Sequence, residues 1–144
     1  MSNANRVKLD VPASMKYLNV VSASIAAIME HLNIEGDLET TIYEIQLAVH
    51  EICTNIIEHA YKNDSEQRIE LEVSIIQTGI DSLSITLFDY SGIAFIASDV
   101  KTPDIAALQE RGLGLMLVNQ IMDEVKYTHM HEYNRWQLIK QFKN

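Results

Sequence analysis

Residues 44–61, EIQLAVHEICTNIIEHAY, constrain this chain more than any other stretch. Ile45, Val49, Ile52 and Ile56 recur at helical spacing and form an apolar stripe wide enough to seat a helix on a core. The opposite side is a polar ladder. Glu51, Asn55 and His59 stand four residues apart, so each lies one turn above the last on a single face. Ala48 lies between Glu44, Glu51 and Asn55, which leaves the groove beside the ladder without a bulky side chain. Asn is a weak helix former, disfavoured against Ala by roughly 0.5 kcal/mol or more in an exposed helix interior. The pattern has two readings. It is a solvated face that happens to repeat at four, or it is a carboxylate that takes a proton beside a neutral amide oxygen that ligates a hard cation.

A helix of this kind needs a core to sit on. The 144 residues, with 47% hydrophobic content, suffice for one domain, 1–144, and argue against extended disorder. Eleven Lys and Arg against twenty Asp and Glu leave a net charge of -9. Nucleic acid is therefore not expected as a direct partner, since backbone binding needs clustered cations, and neither is an anionic membrane. A polyanionic ligand, a nucleotide included, needs a local site built from backbone N–H groups, a metal or a few placed cations. Cys53 is the only cysteine, so no intramolecular disulfide can form, and it falls on the apolar side of the central helix as a small buried hydrophobe. There is no charged-then-apolar leader and no apolar run of membrane-spanning length, and the expectation is a soluble, cytoplasmic protein.

Along the chain, Val7, Leu9 and Val11 alternate in a short first strand that Pro12 ends, and Ser14 is placed to cap the helix that follows. Leu18, Val21, Ile25, Ile28 or Met29, and Leu32 recur at helical spacing from Met15 to Leu32. Residues 33–38, with Gly36, read as a turn into the central helix, which runs from about Glu39 to Tyr61. Ile69, Leu71, Val73 and Ile75 make a half-buried strand, a loop with Gly79 and Asp81 turns the chain, and Leu83, Ile85 and Leu87 return as far as Asp89. Tyr90 to Arg111 lacks a long periodic pattern and holds at most one short helix near Asp104 to Gln109; a connection of that length in a compact domain points to function. A helix then carries Leu115, Val118, Ile121 and Met122 inward, and residues 125–130 and 135–142 close the chain as strands. The order predicts an α+β domain: a two-layer sandwich with a mixed, mostly antiparallel sheet and three main helices on one face.

Three clusters carry possible chemistry: Glu51 with Asn55, Asp89-Tyr-Ser-Gly92 after a strand, and Gly112-Leu-Gly114 opening a helix. Glycines at a helix N-terminus let the backbone approach an anion, although a plain tight turn explains Gly-x-Gly as well. Asp89 alone has the reading of a hydrogen-bonding turn residue. Their joint order is more specific.

In LAVHEICTNIIEHAY, LFDYSGIAF and RGLGLMLVNQIMDEVKY the chain resembles the anti-sigma-factor serine/threonine kinases of bacterial partner-switching systems, small members of the GHKL ATPase superfamily. The resemblance covers nearly the whole length. It implies the Bergerat-type ATPase fold, with ATP and Mg²⁺ as cofactors. It implies that Asn55 ligates Mg²⁺, that Glu51 is the base for an incoming seryl or threonyl hydroxyl, and that Asp89 accepts a hydrogen bond from the adenine amino group. Gly92 would let the chain turn under the base, and Gly112 and Gly114 would offer backbone N–H groups to the phosphates. Arg111 would reach the γ-phosphate or an acidic partner, against the reading of a solvated loop arginine; Thr54 is a further candidate near the phosphates, and His59 reads as a hydrogen-bonded structural histidine.

The chain departs from the family pattern in two places. Ser91 stands where the family has glycine two after the aspartate, so either the loop carries an insertion or its turn is built differently. The lid from Ile93 to Glu110 has Lys101 as its one cation before Arg111. The implied function is an anti-sigma factor that sequesters a sigma factor and phosphorylates an anti-sigma factor antagonist protein, working as a homodimer. The alternative is a non-catalytic ATP-binding module that gates partner choice. A sensor histidine kinase fragment is disfavoured, because no histidine-bearing dimerisation helix pair precedes the ATP region.

Overall fold

The computed structural model describes residues 5–32, 34, 36–77, 79–94 and 113–142. Five strands form one sheet: β1 (Arg6–Pro12), β2 (Arg68–Ile76), β3 (Ser82–Asp89), β4 (Glu124–His129) and β5 (Asn134–Gln141). Their spatial order is β1-β2-β3-β5-β4, and every neighbouring pair is antiparallel. The period of two read from the sequence gives this sheet one apolar face, with Ile69, Leu71 and Val73 of β2, Ile85 and Leu87 of β3, and Trp136 and Leu138 of β5 all buried. Three helices cover that face: α1 (Leu18–Met29), α2 (Leu38–Asn55) and α3 (Leu113–Ile121). The architecture is the expected two-layer α+β sandwich.

Helix α2 lies between the other two and touches both. Ile45, Val49, Ile52 and Ile56 are buried as the stripe requires, and so is Cys53, whose thiol burial pushes up to about 12. Ala48 is also fully buried, so it belongs to the packed interior and does not border an open groove. In β1 the alternation does not close completely: Val11 is buried, but Val7 is 41% exposed at the edge of the sheet.

Three local details differ from the sequence expectation. Residues Met15–Tyr17 form a 3-10 turn, and α1 begins only at Leu18; Ser14 precedes that turn through its backbone carbonyl (Tyr17 N to Ser14 O, 3.0 Å), with no side-chain cap. Helix α2 starts one residue before Glu39, because Asp37 caps it: its carboxylate accepts from the Glu39 and Thr40 N–H groups and from the Thr40 hydroxyl at 2.7 Å. The central helix also does not stay α-helical to Tyr61. After Asn55 it widens into a π-turn, Ile56–Ala60, where the Tyr61 N–H reaches back five residues to Ile56 O at 2.9 Å. The chain then leaves through Lys62 and Asn63, both left-handed, with the Asn63 N–H bonded to Ile57 O at 2.8 Å.

The cap makes a pH-dependent prediction. Hydrogen bonds from Thr40, then from the neighbouring backbone, hold the Asp37 carboxyl below its ordinary range. A carboxylate favoured in the folded state stabilises it above the unfolded pKa, and that contribution is lost as pH falls through the folded value. Asp37→Ala should therefore melt at a lower temperature than the wild type at pH 7, and the gap should close on acidification below about pH 4. Paired thermal melts across that range measure it.

Candidate functional site

The inner face of the sheet turns polar at one end. Following Leu87 in β3, the next inward residue is Asp89; following Leu138 and Trp136 in β5, it is Asn134. The two are directly opposed in the strand register. Asp89 is 2% exposed and Asn134 1%. An ionised group so buried must be well supplied with hydrogen bonds. Asp89 Oδ1 accepts from Ser91 Oγ at 2.7 Å, from Asn134 Nδ2 at 2.9 Å and from the Ser91 N–H at 3.2 Å. The Ser91 hydroxyl in turn accepts from the Ile93 N–H at 3.0 Å, and Gly92 takes φ +75° between them. This settles how the Asp-Tyr-Ser-Gly turn is built. Ser91 closes it through its side chain, and the left-handed residue comes one position later, where glycine carries no strain.

The other polar pair lies further back along α2. Asn55 is 6% exposed, and its Nδ2 has no hydrogen-bond partner. Such a buried orphan amide costs about 1–3 kcal/mol, so its presence calls for a reason. One turn earlier, the Glu51 carboxylate is half-buried and lies against the start of α3. A Cβ placed on Gly114 would stand 2.5 Å from Glu51 Oε2. Any side chain at 114 would have to displace the carboxylate from this position. The Thr54 hydroxyl lies 3.9 Å from Met15 Sδ. Arg111, Gly112, Lys101, the segment expected as the lid beyond Ala94 and the short helix expected near 104–109 lie outside the described residues.

Two links join these groups. Gly114 brings the N-terminal turn of α3 onto Glu51. Just past the π-turn that ends α2, the Tyr61 hydroxyl accepts the Tyr90 N–H at 2.7 Å and donates to Arg68 O at 2.8 Å. The Asp89 turn is thereby tied to the helix that carries Asn55 and Glu51. Tyr61 is itself buried, and burial, ahead of other causes, pushes its phenol up to about 12, which keeps its proton in place for the Arg68 carbonyl. Sequence reading passed over both Tyr61 and Asn134. For Tyr61 the signal was its place in His-Ala-Tyr; for Asn134 it was an amide at an inward strand position, where Trp136 and Leu138 lead one to expect an apolar residue.

A family model described as the histidine kinase-like ATPase domain matches residues 11–140. The chain belongs to that family. Among relatives of this ATPase domain, the serine-protein kinase RsbW of Bacillus cereus (strain AH820) is 26% identical over 139 residues, covering 90% of this chain and 81% of that protein. The protein of the same name from Bacillus cereus (strain G9842) is 27% identical over the same shares. Of solved structures, the RsbU and RsbW domains of Rv1364c from Mycobacterium tuberculosis superimpose with a TM-score of 0.66 at 15% identity, over 95% of this chain and 32% of that one. The ATPase domain thus corresponds to about a third of that crystallised chain. The histidine kinase domain from the Erythrobacter litoralis EL346 blue-light activated histidine kinase gives a TM-score of 0.51 at 17% identity, over 97% and 69%. These two likenesses are of fold. In sequence the ATPase domain is RsbW-like.

The donors present fit a phosphate-bound cation. Among the described residues no group of three or more His, Cys, Asp or Glu side chains could hold a metal by itself. Mg²⁺ characteristically takes one or two protein oxygens and completes its shell with water and substrate phosphates. A half-turn of the Asn55 side chain exchanges its oxygen and nitrogen, so the unpartnered end can present a neutral oxygen ligand.

Two substitutions separate stability from binding. Asn55→Ala removes an unsatisfied buried donor and gains roughly 0.5 kcal/mol of helix propensity, so the ligand-free melting temperature should hold or rise. Gly114→Ala gains up to about 1 kcal/mol of propensity, roughly 3 °C in a chain this long, while its methyl displaces the flexible end of Glu51. Differential scanning calorimetry of both variants against the wild type checks these outcomes.

Proposed function

We propose that this domain binds ATP with Mg²⁺ and transfers the γ-phosphoryl group to a seryl or threonyl hydroxyl of an anti-sigma factor antagonist, and that in its unengaged state it sequesters a sigma factor. The observation that carries the reading is the buried Asn55 amide without a partner, one helical turn from the Glu51 carboxylate. The RsbW-like sequence and the ATPase family to which the chain belongs support it.

In this reading the residues divide by position along α2. Tyr61 is ten residues from Glu51, roughly 15 Å along a helix axis and somewhat less through the π-turn. That span suits an extended nucleoside triphosphate with its base at Asp89 and its phosphates toward Glu51. Asp89 accepts from the exocyclic amino group of the base in a site shielded from water, where a charged acceptor is most selective. Gly92 turns the chain below it. Asn55 holds the cation, and Mg²⁺, when bound, neutralises phosphate charge that a protein of net charge -9 is poorly equipped to offset. Gly114 faces the phosphates, and Arg111 and Gly112, which precede it in sequence, would be further phosphate contacts. Glu51 takes the hydroxyl proton as the oxygen attacks phosphorus, and ADP leaves. Phosphoryl transfer asks for little beyond this positioning and charge neutralisation. No described helix is long and apolar enough to cross a membrane. We place the protein in the cytoplasm as a homodimer acting on transcription through its partner.

The non-catalytic alternative rests on the altered spacing after Asp89 and on the poorly charged lid. The Ser91-closed turn keeps Asp89 buried and oriented, which supports nucleotide binding in either reading, so phosphoryl transfer is what separates the two.

Calorimetric titration should give saturable ATP binding that requires Mg²⁺ and weakens in Asn55→Ala. With labelled ATP and the antagonist, Glu51→Gln should lower phosphoryl transfer by about 100-fold or more, while ATP affinity changes little. Transfer undiminished in Glu51→Gln would remove Glu51 from the chemistry. Absent transfer by a wild type that binds ATP would leave the gating module.

A further inference from the structure

The turn that carries Asp89 is held from two sides by residues outside the three sequence clusters. On one side, the Tyr61 hydroxyl takes the Tyr90 N–H. On the other, Asn134 spends both of its amide hydrogens on this turn, donating to Asp89 Oδ1 at 2.9 Å and to Ile93 O at 2.7 Å. The amide has only one workable orientation. Its Oδ1 accepts from the Tyr127 hydroxyl at 2.9 Å and meets His129 Nδ1, which must carry a proton to serve as donor. Turned over, the amide would set its oxygen against the Asp89 carboxylate and its NH₂ against the donors on β4. Strand β4 therefore fixes Asn134, and Asn134 fixes Asp89.

The bonds on Asp89 are lopsided. All three arrive on Oδ1, and Oδ2 receives none among the described residues. We propose that Asn134, with Tyr61 as the opposing brace, is a specificity-positioning residue. By occupying Oδ1 and pinning both ends of the turn, the pair leaves Asp89 with a single oriented acceptor, Oδ2, for the exocyclic amino group of the base. This rests on the reading of Asp89 as the base contact and deepens it: adenine would be selected by how rigidly the carboxylate is aimed as well as by its charge. Without Asn134 the carboxylate loses its lateral donor and turns more freely, and the Ile93 carbonyl loses its shorter hydrogen bond and keeps only the 3.5 Å contact from the Ser91 hydroxyl.

The test uses the full chain and two nucleotides with Mg²⁺: ATP, and purine riboside 5′-triphosphate, which has hydrogen in place of the 6-amino group. Dissociation constants are measured for the wild type, Asn134→Ala and Tyr61→Phe. The wild type should prefer ATP by about tenfold or more, as expected for a hydrogen bond to a charged acceptor. Asn134→Ala should remove most of that preference by weakening ATP alone, with the analogue's affinity held to within about twofold; Tyr61→Phe should reduce it in the same direction. A general loosening of the fold would weaken both nucleotides together, and that result would overturn the proposal. So would an unchanged ratio in the two variants. If Asn134→Ala does not fold, Tyr61→Phe, which removes one oxygen, decides by the same criterion. A wild type that fails to distinguish the two nucleotides would overturn the base-contact reading of Asp89 and this proposal with it. A wild type that distinguishes them, with variants that do so equally well, would overturn this proposal alone.

Discussion

The structure depends on how tightly α2 is held. Ile45, Val49, Ile52 and Ile56 are buried on one side of it, and α1 and α3 flank it. Burial of four such side chains contributes several kcal/mol, at about 1.5–3 kcal/mol each. That is enough for the helix to tolerate features that weaken it locally. An unsatisfied amide at Asn55, a carboxylate pressed against a neighbouring helix and a terminal π-turn would each disfavour an isolated helix. Here they sit on an element that cannot rotate without exposing its apolar face. Stability from one side of the helix maintains the polar arrangement on the other.

The same division explains what could be read from sequence. The five strands and three helices follow from periods of two and 3.6, which reflect which face of an element is buried. The central polar pair was legible for the same reason, because Glu51 and Asn55 interrupt a strongly periodic helix. Features that depend on distant partners were not. The π-turn has no local signature; it ends where Tyr61 reaches Tyr90 and Arg68, contacts that no helical pattern announces. Asn134 meets Asp89 only because β3 and β5 are neighbours in that register, although 45 residues separate them in sequence. The exposure of Val7 reflects the edge position of β1, which alternation cannot reveal. Asp37 is different: an acid just after Gly36 and just before a helix is a legible cap, and the helix begins within one residue of the expected start.

The treatment of charge is also instructive. Among the described residues, Asp89 is buried without a cationic partner: its hydrogen bonds come from a backbone N–H, a hydroxyl and an amide. Neutral donors stabilise a carboxylate without cancelling its field. An arginine in the same place would form a bidentate pair and use up its acceptor capacity. Neutral dipoles leave acceptor capacity on a buried carboxylate that a bidentate cation would consume.

Cys53 lies between Glu51 and Asn55 in sequence, yet it faces the core, fully buried, with its thiol pushed up to about 12. A thiolate is the reactive form, and this one is neither accessible nor readily formed. The chain's one sulfhydryl therefore shelters behind the very helix that presents the polar pair. Oxidants and electrophiles reach it only when α2 lifts from the sheet, so the rate of its chemical modification times the opening of that helix.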